Sequence, residues 1–183
     1  MNDMMKKDTH PAVSGVSPPL LAVLGGDRRA ESLVRALSEK GYSCRLYACS
    51  LPGEGRLADA LPGVSAVILP IPASRDGDAL FAPFHGGEHD PEEKISLCGD
   101  LLPALRRLAP RAELLCGMPP DALAEGAEKA GIRLIDYGRD EEFLLENARL
   151  TAEGMLPLLE KQLKKPLSER DSALVAEIGR AHV

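Results

Sequence analysis

The chain has 183 residues, 44% hydrophobic and 27% charged, a balance suited to one soluble domain with a real core. Three Tyr, three Phe and no Trp leave that core to Leu, Val, Ile and Ala and argue against base stacking on single-stranded nucleic acid. A net charge of −6 with scattered basic residues excludes a nucleic-acid footprint, and no apolar run approaches a membrane span, so a cytoplasmic protein without a membrane partner is expected.

Residues 1–18 are polar, with Pro11 and Pro18, and are expected to form a disordered tail. Leu20–Leu24 is a short apolar run closed by Gly25-Gly26-Asp27, which predicts a buried strand and a tight turn. Asp27 can cap a helix whose Ala30, Leu33, Val34 and Leu37 share one face, and Gly41 stops it. Ser43–Ala48 and Val64–Leu69 read as the second and third strands, joined by a loop with at most a short helix. A Gly-, Pro- and charge-rich connection runs from Pro70 to about Glu93, a length that usually signals function or disorder. Leu97, Leu101, Leu105 and Leu108 mark the next helix, Ala112–Cys116 a fourth strand, Pro120–Ala130 a helix closed by Gly131, and Ile132–Asp136 a fifth strand. A last helix is expected over roughly Asp140–Lys164, bent or broken at Gly154 and Pro157.

Alternating strands and helices predict an α/β fold: a Rossmann-like or flavodoxin-like three-layer sandwich with a five-strand parallel sheet in the order 2-1-3-4-5. Ligands of such sheets sit at the carboxyl ends of the strands, here Gly25–Arg29, Pro70–Ser74, Gly117–Pro119 and Tyr137–Asp140. The glycine turn is not the dinucleotide fingerprint. Counted from Gly25, the second glycine position holds Asp27 and the third Ala30, and the next strand ends in Cys49-Ser50 without an acid to grip a ribose.

Arg28 and Arg29 stand at a helix N-terminus, where they either form a solvated first turn or bind a carboxylate through paired hydrogen bonds. His85, Glu88, His89 and Asp90 look like metal ligands, but a Gly-rich loop gives them no fixed geometry, and an exposed loop without metal is the reading preferred. Cys44, Cys49, Cys98 and Cys116 lack CxxC spacing and read as reduced thiols, mostly buried, rather than a disulfide or zinc set. Asn147, Thr151, Glu153 and Gly154 interrupt an apolar helix and mark either plain helix surface or a helix crossing beside a cleft.

Leu21 to Asp27 (Leu-Ala-Val-Leu-Gly-Gly-Asp) with Arg29, Val67-Ile-Leu-Pro70 with Ser74, Cys116-Gly117, Asn147-Ala148 and Thr151 to Gly154 (Thr-Ala-Glu-Gly) occur in that order. As an ordered set over residues 20–160 they resemble the N-terminal domain of the dipicolinate synthase A-subunit. The resemblance implies an NAD(P)-dependent oxidoreductase that works with the synthase's B-subunit and oxidises a dihydrodipicolinate-type intermediate to dipicolinate, in the mother cell of a spore-forming bacterium. It implies a second domain carrying the true glycine fingerprint and the NAD(P), so that residues 19–165 form the substrate-side lobe and bind no cofactor themselves. A small dicarboxylate would then meet Gly25, Gly26, Asp27, Arg29, Pro70, Ser74, Gly117, Asn147, Thr151 and Glu153, with Arg29 as anchor; the catalytic residue stays unknown and no metal is expected.

Residues 166–183 depart from that pattern. They read as the approach to a truncated NAD(P)-binding domain, and Glu177–Val183 resembles a translated sequencing adapter, the other reading being a genuine short C-terminus. Such a fragment is not expected to turn over substrate, because hydride transfer needs a positioned nicotinamide. Two other classes stay open: a stand-alone flavodoxin-like binding module, and the substrate domain of a different 2-hydroxyacid or alanine dehydrogenase-like enzyme. A homodimer is compatible with any of these.

Overall fold

The computed structural model describes residues 18–83 and 94–163. Five strands, β1 (Leu20–Leu24), β2 (Ser43–Tyr47), β3 (Ala66–Ile68), β4 (Glu113–Cys116) and β5 (Leu134–Asp136), form one sheet in the order β2-β1-β3-β4-β5. Every neighbouring pair is parallel, with Ala22 facing Arg45 on one side and Val67 on the other. The helices are α1 (Arg29–Glu39), α2 (Leu57–Ala60), α3 (Leu102–Leu108), α4 (Asp121–Ala130) and α5 (Glu141–Leu163). The expected α/β sandwich and strand order are therefore the ones observed.

The two-residue pleat sorts side chains to opposite faces. Ala22, Leu24, Val67, Leu69, Leu114 and Cys116 point into the larger core, where Leu61, Leu97, Leu101, Leu105 and Leu123 cover them from α2, α3, α4 and the turn before α3. Val23 and Ile68 point the other way and meet Ala30, Val34 and Leu37 of α1. Leu24, Val67 and Leu114 are fully buried, each contributing about 1.5–3 kcal/mol of hydrophobic stabilisation.

Local chemistry closes the helices. Gly131 ends α4 at φ 67°, a left-handed conformation that glycine adopts without a Cβ penalty. The helix expected from Leu97 opens instead with a π-turn over Leu97–Leu101. There the Ser96 hydroxyl accepts the Gly99 N–H (2.6 Å) while the Asp100 carboxylate accepts the Ser96 N–H (2.8 Å), a reciprocal cap. Of the bend or break expected at Gly154 and Pro157, the break does not occur: α5 runs unbroken through both. Pro157 is exposed, so water can satisfy the carbonyl that its missing N–H leaves behind.

Candidate functional site

At the end of β1 the chain enters α1 through Gly25 (φ 68°) and Gly26 (φ 90°). A Cβ on Gly25 would lie 2.7 Å from the Phe81 carbonyl oxygen, so neither conformation nor space admits a side chain. That same carbonyl accepts the Gly26 N–H at 2.7 Å, and the Phe81 N–H donates to Ala73 O at 2.7 Å. The Arg75 guanidinium lies 4.2 Å above the Phe81 ring. The loop after β3 is thus stitched over the glycine turn.

One turn on, the Asp27 carboxylate accepts the Arg29 backbone N–H (3.0 Å) and caps α1. It also receives the Arg29 Nε–H, at 2.8 and 3.2 Å from its two oxygens, while Nη2 donates to Ile71 O at 2.8 Å. The hydrogen bond from Arg29 holds the Asp27 carboxyl below its ordinary pKa, and the same pairing raises that of Arg29. The Arg29 side chain is 68% exposed, so the pair contributes little to stability, but the three contacts fix where the guanidinium points.

The wall opposite comes from the ends of β4 and β5. The Asp136 carboxylate accepts the N–H groups of Met118 (2.9 Å) and Gly138 (3.0 Å), tying the two strand ends together. Tyr137 donates its hydroxyl to Leu69 O (2.8 Å), and burial pushes its phenol up to about 12. Its ring meets Phe143 of α5 edge-on, with centroids 5.3 Å apart. Gly117 makes this closure feasible, because a Cβ there would run into the Ile71 side chain and come within 2.7 Å of the Tyr137 ring.

Between α1 and the start of α5, over the carboxyl ends of β1, β3 and β4, lies a cavity of about 420 Å³, within the range of small-molecule sites. Its floor is Val23, Ile68 and Leu115, the strand side chains on the α1 face, while Leu24 and Leu69 border it with their backbone; Leu33, Tyr137 and Phe143 flank it. Of the residues expected from sequence, Gly25, Gly26, Asp27, Arg29, Pro70 and Asn147 come together on its lining. Gly117 stands behind the wall rather than on it. The other three lie elsewhere. Ser74 turns its hydroxyl to Asp76 and Gly77, Thr151 donates back to Asn147 O, and Glu153 pairs with Arg149. Ile71 and Tyr137, also on the lining, fall within the expected strand-end segments Pro70–Ser74 and Tyr137–Asp140 without being named as site residues, and Phe143 lies outside every expected segment.

A wider cleft of about 690 Å³ lies on the α2–α3 face, with Arg56, Lys94, Asp100 and Arg107 on its lining. Arg56 is already paired with Asp59, and Lys94 stands 3.5 Å from Asp76. Among the described residues no three His, Cys, Asp or Glu side chains gather as a metal site, and no helix is long and apolar enough to cross a membrane. His85, Glu88, His89 and Asp90 fall outside the described residues. The four cysteines are free thiols, and burial pushes Cys49 up to about 11 and Cys116 to about 12.

Residues 20–138 match the family model of the N-terminal domain of the dipicolinate synthase A-subunit. No curated protein matches the sequence. Among solved structures, the dipicolinate synthase A-subunit from Bacillus halodurans superposes with a TM-score of 0.63 at 19% identity, over 80% of this chain and 50% of that one. Its counterpart from Bacillus subtilis gives 0.56 at 21% identity, over 80% and 49%. These two likenesses are of fold, and the chain spans about half the length of the solved proteins it matches.

Proposed function

Since the chain belongs to the family of dipicolinate synthase A-subunits through its N-terminal domain, we propose that it is the substrate-side lobe of an NAD(P)-dependent oxidoreductase. In this reading the enzyme oxidises a dihydrodipicolinate-type intermediate to dipicolinate during sporulation, in the mother-cell cytoplasm, with the synthase's B-subunit as its partner. The supporting observation is the cavity at the carboxyl ends of β1, β3 and β4, where an exposed guanidinium stands beside an apolar floor suited to a flat ring.

NAD(P) does not fit these residues. A pyrophosphate on the β1–α1 turn would need the Gly26 N–H, which the Phe81 carbonyl holds, and the α1 N-terminus, which the Asp27 carboxylate caps. The cofactor is therefore assigned to a second, nucleotide-binding domain of the family, and this lobe binds and orients the acid.

The test is Arg29→Ala in a protein that carries both domains. Losing a hydrogen bond to a charged group costs about 1.5–3 kcal/mol, so KM is expected to rise by about 10- to 100-fold. An unchanged KM removes Arg29 from the site.

A further inference from the structure

We infer that the cavity holds only one carboxylate of a ring diacid and leaves the second outside this lobe. The inference rests on the function proposed above and specifies what the same site recognises.

Free donors set the limit. A guanidinium carries five N–H groups. In Arg29 the Nε–H is taken by Asp27 and one Nη2–H by Ile71 O. The remaining groups, on Nη1 and Nη2, suffice for one carboxylate gripped through paired hydrogen bonds. Arg29 is also the only Lys, Arg or His on the lining among the described residues. The one other nonaromatic polar side chain of neutral charge there is Asn147, whose carboxamide makes no hydrogen bond among the described residues and can donate to the same carboxylate.

Charge points the same way. Asp27 sits 2.8 Å from Arg29 and cancels its charge, so the cavity mouth is locally neutral. A first carboxylate gains directed hydrogen bonds from Arg29. A second carboxylate on the same ring meets no cation, an apolar floor of Val23, Ile68 and Leu115, and the repulsion of Asp27. Its favourable position is outward, toward solvent or another lobe.

The experiment titrates the chain, uniformly labelled with nitrogen-15, with picolinate (one carboxylate) and dipicolinate (two on the same ring), following backbone amides at low ionic strength. Both acids are expected to shift Gly25, Gly26 and Arg29 with dissociation constants within about 3-fold of each other. Asp27→Asn keeps a helix-capping side chain but removes the opposing charge. It is expected to improve dipicolinate over picolinate by at least about 3-fold, because the dianion gains more from the unmasked cation. A wild-type preference for dipicolinate above about 10-fold overturns the inference while leaving the proposed function standing. An Asp27→Asn chain that leaves the ratio unchanged overturns the assigned role of charge. If neither acid shifts these amides, the inference and the proposed function fall together.

Discussion

Replacing Gly25 by Ala puts a methyl group 2.7 Å from a backbone carbonyl that cannot step aside without breaking its own bond to Gly26. The magnitude follows by comparison with Gly131, whose φ of 67° nearly equals the 68° of Gly25 but whose Cβ would meet nothing within 4 Å. Both Ala variants carry the left-handed penalty of about 1 kcal/mol. Only Gly25→Ala adds the clash with the Phe81 carbonyl and the strain on the Gly26 bond, about 1–3 kcal/mol more. Urea unfolding followed by circular dichroism gives both values on one scale, and the slope should stay unchanged. Gly25→Ala should lie below Gly131→Ala by that difference. Equal losses would mean that the loop after β3 is not clamped on the glycine turn.

Further outcomes follow from the same contacts. Tyr137→Phe leaves Leu69 O without its donor and should lower stability by about 1 kcal/mol, read by the same unfolding curves. Asp76 is held down to about 2 by N–H groups of Ala79 and Asp78 and the Ser74 hydroxyl. A depressed folded pKa stabilises fully above the unfolded value of 3.8 and is lost as pH falls toward about 2, so Asp76→Asn should flatten the stability profile across that window. Cys49 and Cys116, buried and pushed up to about 11 and about 12, should resist a thiol reagent at about pH 8 until the chain unfolds; fast labelling in the native protein would contradict their placement.

The elements that sequence reveals best are those fixed by local periodicity. Leu20–Leu24 is legible residue for residue because an unbroken apolar run between Pro19 and Gly25 leaves one reading. β3 and β5 are shorter than the strands read from the sequence, although backbone hydrogen bonds reach past their ends: Ser65 O and Arg133 O accept the N–H groups of Glu113 and Leu114, and the Leu69 N–H donates to Leu115 O. The π-turn before α3 is not legible, because the Ser96 and Asp100 cap works at a spacing outside the usual capping box. In the site, Gly25, Gly26, Asp27, Arg29 and Pro70 can be named because strand ends and a helix cap fix them. Ile71 falls in the marked segment Pro70–Ser74 without being singled out, and Phe143 cannot be named because tertiary closure alone brings it to the lining, through the Tyr137 ring. Ser74 fails to reach the cavity because its hydroxyl serves a turn with Asp76.

A crystal structure of the chain grown with dipicolinate tests the central claim most directly. The ring is expected on the floor of Val23, Ile68 and Leu115, with one carboxylate on Arg29. Density for the acid among Arg56, Lys94 and Arg107 on the α2–α3 face, with the Arg29 cavity empty, would contradict that placement.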